Sequence, residues 1–171
     1  HAEEAAAELI RNAGRQVLRS ENAPWSTLFS VLFSSCIYAP VDGMLPSPAM
    51  RTPLDWGSPL FYARRKEGIE ETMRKIQDGD AIKLLQENRH LEGSAMIGAR
   101  WDRYSIETLC SLSSHLTPST LAGLMRIHLE SPILHRRGMP DLCLLPGPSC
   151  RIETAFPSKL SEQLLLIEVK S

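Results

Sequence analysis

Two stretches near the carboxyl end decide the fold of this sequence: RRGMPDLCLL at residues 136–145 and QLLLIEVK at residues 163–170. Each contains a short apolar run of the kind that forms a buried strand. Asp141 opens the first run, and Glu168 and Lys170 close the second. The polar residues that flank the two strands therefore form either ordinary turns or a catalytic site.

The spacing of these polar residues favours a metal site. Alternate side chains of a strand share a face, so Glu168 and Lys170 point the same way and Val169 points the other way. If the two strands pair as a hairpin, Asp141 approaches Glu168, and two close carboxylates repel unless a divalent cation binds both. Magnesium combines a few carboxylates with water and phosphate oxygens. The pattern therefore predicts phosphodiester cleavage, with Lys170 acting on the attacking water or on the phosphate.

Composition sets the limits of this prediction. A chain of 171 residues suits one domain, and a net charge of -1 excludes a strong global attraction to nucleic acid. DNA contacts must then come from local basic patches or from other parts of the protein. The four cysteines contain no CxxC pair, so we expect free thiols in a reducing compartment. No apolar run approaches the ~20 residues that cross a bilayer, so we expect no membrane contact.

Apolar periodicity predicts a largely helical chain ahead of the two strands. A lead-in helix is expected over residues 3–19 within segment 1–20, and a second helix from Pro24 to about Tyr38. Five prolines predict a loop over residues 40–60. Further helices are expected at 64–77 and 81–92, from Ser105, and after Thr117 as the N-cap residue. The predicted organisation is α/β, with a loop and helical insertion at 40–130 and catalytic strands at 136–171.

The motif order resembles a known group of nucleases. Pro140-Asp141 followed by Glu168-Val169-Lys170 is similar to the PD-(D/E)xK pattern, and RRGMPDLCLL with LLLIEVK resembles its VRR-Nuc branch. The stretches ENAPWSTLFSVLF, TPLDWGSPLFYARR and ARWDRYS resemble the Fanconi-associated nuclease family in particular. The resemblance implies a restriction-endonuclease-like core with a large helical insertion. We expect this core to be truncated at its carboxyl end, after Ser171.

The same resemblance implies a set of site residues, a cofactor and a substrate. Catalysis is expected from Asp141, Glu168 and Lys170. The implied ligands of Mg²⁺ or Mn²⁺ are Glu21, Asp141, Glu168 and the backbone carbonyl of Val169. Arg136 matches a basic residue of the family, and we expect Arg136 or Arg137 to position a DNA phosphate. The implied function is cleavage of 5′ flaps and branched DNA in interstrand-crosslink repair, alongside other DNA-repair proteins.

Two other functions remain open at this point. One is a VRR-Nuc resolvase that cuts Holliday junctions as a dimer, and the other is a catalytically dead domain that binds DNA or a partner. The long helical middle favours a monomeric flap nuclease over the resolvase, and the intact acid-acid-lysine set argues against a dead domain. We expect the protein to be nuclear if it is eukaryotic and cytoplasmic otherwise.

Several candidate residues also have simpler explanations. Glu21 could be an acid that favours a helix start. The run Arg64-Arg65-Lys66 lies among glutamates at helical spacing, which favours a solvated helix face. We expect packing or surface roles for a smaller group that could otherwise bind metal or stack on bases: His128, His135, Trp25, Trp56 and Trp101.

Overall fold

A computed structural model of the protein describes residues 23–47 and 49–130 with their side chains, and the backbone of three strands at 16–19, 142–145 and 165–167. The described residues fall into two compact units. The strands belong to one unit, which joins the two ends of the chain, and the helices belong to the other.

The strands form one antiparallel sheet in the order β1 (Gln16–Arg19), β2 (Leu142–Leu145) and β3 (Leu165–Ile167). Leu142 lies opposite Arg19 on one side and opposite Ile167 on the other. The two carboxyl-terminal strands therefore pair as antiparallel neighbours. The chain is α/β in content, with a sheet assembled from distant segments.

Strand β1 corrects the predicted lead-in helix at residues 16–19; the earlier part of that prediction lies outside the described residues. Periodicity extended the helix through Gly14, where glycine in a helix interior costs roughly 0.5–1 kcal/mol relative to alanine. The QVLR segment gains ladder hydrogen bonds to β2 instead. Pairing with a partner strand outweighs a weak local preference, which is why this segment is extended.

The helical unit contains six α-helices and one 3₁₀ turn within the described residues. Pro24 lies in the first turn of the first helix, as predicted, and a turn at Phe33 separates that helix from the next. Thr117 accepts a hydrogen bond from the Thr120 amide at 3.2 Å, so its predicted N-cap role is confirmed. The elements are α1 (Ala23–Leu32), α2 (Ser34–Ile37), α3 (Pro59–Gln77), α4 (Ala81–Glu87), the 3₁₀ turn Asn88–Leu91, α5 (Ile106–Ser114) and α6 (Pro118–Glu130).

Helix α1 is the centre of this unit, since eight of its residues are buried. Neighbouring helices supply apolar faces at helical spacing, such as Leu121, Met125 and Leu129 of α6. Burial of one such side chain stabilises the fold by roughly 1.5–3 kcal/mol. Among the described residues, no helix combines the length and the apolar character that a membrane span requires.

The predicted proline-rich loop is present as a series of turns between α2 and α3, and Pro59 begins α3. The loop is tied to the helices by polar contacts: the Tyr38 hydroxyl donates to the Arg51 carbonyl at 3.1 Å. Leu54 donates its amide to the Met44 carbonyl at 2.9 Å, which closes the loop on itself. The last turn of the loop carries Asp55, whose side chain is buried, so the loop is anchored in the core just before α3 begins.

Candidate functional site

The sheet brings together three chain segments that lie next to predicted acids. Because both strand pairs are antiparallel, the carboxyl ends of β1 and β3 and the amino end of β2 share one edge of the sheet. The row Arg19, Leu142 and Ile167 forms the last described positions at this edge. This edge is the part of the described structure that bears on the predicted metal site.

The predicted site residues themselves lie outside the described residues, so their positions stay predictions. In the sequence, Asp141 directly precedes β2 and Glu168 directly follows β3. Glu21 comes two residues after Arg19. The full set outside the described residues is Glu21, Arg136, Arg137, Asp141, Glu168, Val169 and Lys170.

The helical unit offers no competing metal centre within its described residues, because no group of three His, Cys, Asp or Glu side chains comes together there. Cys36 and Cys110 are free thiols, in agreement with the sequence prediction for these two. Trp25 is completely buried and His128 stacks on Phe29, with ring centroids 5.8 Å apart. Packing roles are therefore confirmed for Trp25 and His128, whereas His135 lies outside the described residues.

Arg65 corrects the prediction of a solvated face for the Arg64-Arg65-Lys66 run. Its side chain is 1% exposed and its Nη1 donates to Asp55 Oδ2 at 2.7 Å, while Arg64 reaches the same oxygen at 3.5 Å. The Arg65 guanidinium also lies 4.4 Å from the centroid of the Phe61 ring. A lone buried charge is costly, so the pair is held by its mutual contact and by this cation–π interaction.

This buried pair is incompletely hydrogen-bonded. Asp55 Oδ1 and Arg65 Nε and Nη2 have no hydrogen-bond partner among the described residues. The pair therefore fixes the geometry between the loop and α3 at an energetic cost, and loss of either member leaves a buried charge without its partner. Sequence periodicity could not reveal this contact, because Asp55 lies in an irregular turn outside the helix.

A second polar network joins α3 to α6 near the surface. Arg126 donates to both carboxylate oxygens of Glu70, at 2.6 and 3.0 Å, and the Tyr62 hydroxyl donates at 2.8 Å. The hydrogen bonds from Arg126 lower the pKa of Glu70 from 4.5 to about 2. The hydrogen bond that Tyr62 donates to the same carboxylate raises the pKa of Tyr62. This network therefore acts as a polar tie between the two helices.

Helix α1 carries a third polar feature. The hydroxyl groups of three of its side chains form hydrogen bonds with the backbone of a loop. Ser26 donates to the Gly98 carbonyl at 3.1 Å, and Thr27 accepts from the Arg100 amide at 3.1 Å. Ser30 donates to the Ile97 carbonyl. We call these three hydroxyl residues together with residues 97–100 the hydroxyl clamp. Sequence reasoning missed it; the only available signal was the Ser and Thr content of an otherwise apolar helix.

The comparisons with known proteins agree with the predicted family. No family model matches the chain. The chain is 35% identical over 127 residues to a Fanconi-associated nuclease 1 homolog of Oryza sativa subsp. japonica, and 30% identical over 130 residues to the homolog of Arabidopsis thaliana. These alignments cover 73% and 75% of the chain. A further homolog, from Schizosaccharomyces pombe, is 26% identical over 145 residues.

Solved structures give the fold. Two crystal structures of paFAN1, bound to DNA with a gap and a 5′ flap of two or one nucleotides, each match 99% of the chain with a TM-score of 0.84. Sequence identity to them is 23% and 24%. The fold is therefore that of the matched part of the paFAN1 chains. The chain itself is a relative of the Fanconi-associated nucleases, so the predicted family is confirmed.

The chain corresponds to a limited part of these larger proteins. It spans 13% of the rice relative, 15% of the Arabidopsis relative and 29% of the paFAN1 chains.

Proposed function

We propose that this chain is the catalytic portion of a metal-dependent, structure-selective DNA nuclease with a PD-(D/E)xK core of the VRR-Nuc type. Its substrate is DNA with a 5′ flap or a related branch, and its process is interstrand-crosslink repair. The chemistry is hydrolysis of a phosphodiester bond, as an endonuclease and an exonuclease. The protein works as a monomer with other DNA-repair proteins, in the nucleus if the organism is eukaryotic and in the cytoplasm otherwise.

The observation that carries this proposal is the shared edge of the sheet. Leu142 lies opposite Ile167, and the next residues outward along the chain are Asp141 and Glu168. Continuation of the antiparallel register by one residue would set these two carboxylates opposite one another on one face. In the sequence, Glu21 comes two residues after Arg19, which lies opposite Leu142. Three acids from distant parts of the sequence are thus within two residues, along the chain, of one row of paired strand positions.

This donor set fits a hard divalent cation. Glu21, Asp141, Glu168 and the backbone carbonyl of Val169 offer oxygen atoms, which Mg²⁺ and Mn²⁺ prefer over nitrogen or sulfur. When bound, such a cation neutralises the acids, lowers the pKa of bound water and polarises a phosphoryl oxygen. Lys170, two residues after Glu168, would share its strand face and hold the attacking water or stabilise charge on the phosphate.

Substrate selection rests on the relatives and on charge. The matched structures are of paFAN1 with 5′-flap DNA, and the curated relatives are named Fanconi-associated nuclease 1 homologs. Arg136 and Arg137 precede the proposed catalytic aspartate and supply local positive charge for a phosphate. The chain as a whole has a net charge of -1, so most of the DNA affinity comes from other parts of the full-length protein.

The test is Asp141→Ala in the full-length protein, with cleavage and binding measured on the same 5′-flap duplex. Removal of the ligand abolishes cleavage, while DNA affinity stays close to that of the unsubstituted protein because phosphate contacts lie elsewhere. Mn²⁺ raises the Tm of the unsubstituted protein and fails to raise that of the variant. Asp102→Ala, which removes an exposed acid paired with Arg100, is the matched control and retains all three properties. Cleavage by Asp141→Ala at the unsubstituted rate contradicts the proposal.

A further inference from the structure

Three large apolar side chains are exposed among the described residues, and two of them are close in the sequence. Leu54 is 63% exposed and Leu60 is 53% exposed, whereas Ile127, at 42%, lies on α6. Single apolar side chains are ordinary on a protein surface, whereas contiguous apolar surface marks interaction sites. The surroundings of Leu54 and Leu60 therefore decide whether these two side chains form one surface.

Arg64 and Met44 join the two leucines into one surface. Leu60 and Arg64 are four residues apart in α3, so they share one face of the helix. Arg64 Nη1 donates to Met44 Sδ at 2.8 Å. The Met44 carbonyl in turn accepts from the Leu54 amide at 2.9 Å. We call Met44, Leu54, Leu60 and Arg64 the leucine patch.

The turn that carries Leu54 is fixed from both sides. Pro53 and Asp55, its neighbours in the sequence, are buried. The Trp56 amide donates to the Pro53 carbonyl at 3.0 Å, which closes the turn. Asp55 binds Arg65 of α3 at 2.7 Å, so two charges are desolvated at the position that holds Leu54 beside this helix. A surface held in this way loses little conformational entropy when a partner binds.

The leucine patch also carries an excess positive charge. Asp55 Oδ2 lies 2.7 Å from Arg65 Nη1 and 3.5 Å from Arg64 Nη1, so one carboxylate faces two guanidinium groups. The nearer, buried Arg65 is compensated by this carboxylate, and Arg64 forms no other ion pair within the described residues. Because the Arg64 side chain is 38% exposed, its guanidinium is accessible to an anionic group of a partner.

An acidic, apolar peptide fits these features better than other partners do. A nucleic acid offers phosphates to Arg64 but no apolar counterpart to the exposed leucines. A second copy of the chain that docks through the same patch brings two Arg64 guanidinium groups together, which is unfavourable. A permanent interface with another domain buries a larger and more apolar surface than these three apolar side chains provide.

We propose that the leucine patch binds a separate protein through a short segment in which a large apolar side chain stands next to a carboxylate. The leucines and Met44 contact the apolar side chain, and Arg64 pairs with the carboxylate. This inference goes beyond the proposed function, because it concerns a surface of the helical unit and requires neither the metal site nor DNA. Cleavage of a 5′-flap duplex therefore stays unchanged when the patch is altered.

The main experiment uses a random-peptide phage library, selected on the full-length protein and counter-selected on its Leu60→Gln variant. Peptides that distinguish the two proteins should share a leucine, phenylalanine or methionine beside an aspartate or glutamate. Synthetic copies of these peptides should bind Leu60→Gln about 10-fold or more weakly than the unsubstituted protein, as expected for a side chain at the centre of an interface. Fluorescence anisotropy of the labelled peptides measures the Kd.

Ile127→Gln is the matched control, because Ile127 is also an exposed apolar side chain next to an arginine. Arg126 already donates to both carboxylate oxygens of Glu70, so its charge is compensated. The selected peptides should bind Ile127→Gln as tightly as the unsubstituted protein. Glutamine is a good helix former, so both variants should keep the unsubstituted Tm. A fall in Tm for Leu60→Gln alone shows that another part of the protein covers the patch, which overturns the inference.

A double-mutant cycle tests the pairing of Arg64 with the peptide carboxylate. Replacement of the peptide acid by its amide should weaken binding to the unsubstituted protein and have no effect on binding to Arg64→Gln. Arg74→Gln removes another exposed arginine of α3, one that pairs with Glu71, and should retain the full effect of the amide. If the amide weakens binding equally in all three proteins, Arg64 does not hold the carboxylate and the inference fails.

The remaining outcomes separate the partner classes. A selection that yields no peptide sensitive to Leu60→Gln, or only peptides without a carboxylate, overturns the inference. A lower affinity of Leu60→Gln for the flap duplex assigns the patch to DNA instead. A smaller sedimenting mass of Leu60→Gln assigns it to a second copy of the protein.

Discussion

The two units of the protein differ in how far apart in the sequence their contacting residues lie and in the polar residues associated with each unit. In the helical unit, neighbours in the sequence form each helix, and polar side chains such as Asp55 and Arg65 bind one another. In the sheet, Arg19 and Leu142 come from opposite ends of the chain and lie side by side. The acids predicted to bind metal stand next to the strands in the sequence, whereas the described residues of the helical unit contain no group of three His, Cys, Asp or Glu side chains that could hold a metal ion. Substitutions in the two units should therefore separate catalysis from stability.

Lys170→Ala should give the largest effect among the next three tests. If Lys170 supplies one electrostatic contact to the reacting groups, its loss lowers the single-turnover cleavage rate by about 10²-fold or more. Mn²⁺ affinity stays intact or improves slightly, because a positive charge near the cation is removed. Single-turnover cleavage and Mn²⁺ calorimetry on the full-length protein measure the two effects. Lys83→Ala, an exposed lysine of α4, is the control and changes neither. Joint loss of metal binding and cleavage in Lys170→Ala contradicts this division of roles.

Asp55→Ala should change stability and leave the metal site unaffected. The substitution leaves the Arg65 guanidinium buried without its carboxylate, which costs about 3–5 kcal/mol when one member of a buried pair is removed. Urea unfolding measures the loss in the free energy of unfolding, and Mn²⁺ calorimetry on the folded variant measures the unchanged Kd. Asp42→Ala, at an exposed position in the same loop, is the control. If Asp55→Ala is as stable as Asp42→Ala, the Asp55–Arg65 pair contributes nothing to the free energy of unfolding.

Glu70→Gln should give the smallest effect, and it should depend on pH. Because the pKa of Glu70 is lowered from 4.5 to about 2, its ionised form contributes stability that is fully present above pH 4.5 and is lost as the pH falls toward 2. Glu70→Gln should therefore lower Tm slightly at neutral pH and flatten the fall of Tm between pH 4.5 and 2. Thermal unfolding followed by circular dichroism measures both. Glu67→Gln, at an exposed position of the same helix, should keep the unsubstituted pH profile.

Sequence reasoning predicted the parts of this fold that depend on local signals. The helix that starts near Ser105, the cap at Thr117 and the apolar runs of β2 and β3 each carry their signal within a few residues. Strand β1 was predicted wrongly because its partner β2 lies far away in the sequence, so no local pattern distinguishes it from a helix end.

For the candidate site, the sequence predicted the family and proposed residue roles, but it did not predict the contacts between helices and loops. The motif order indicated the family, which the relatives confirm, whereas the roles of Asp141, Glu168 and Lys170 stay predictions. The burial of Arg65 and the approach of Gly98 to α1 were not predictable. Both depend on a contact between a helix and an irregular loop, and the position of such a loop follows from packing and not from periodicity.

The sheet register has a consequence for the order in which the protein folds. The pairing of Arg19 with Leu142 closes residues 20–141 into a loop, whereas the β2–β3 pairing closes only residues 146–164. The entropy lost on loop closure grows with the number of flexible residues enclosed, so β1 pays a larger kinetic penalty than β3. A helical unit that is already folded removes most of those flexible residues from the loop. The helical unit thus shortens the search that brings β1 and β2 together.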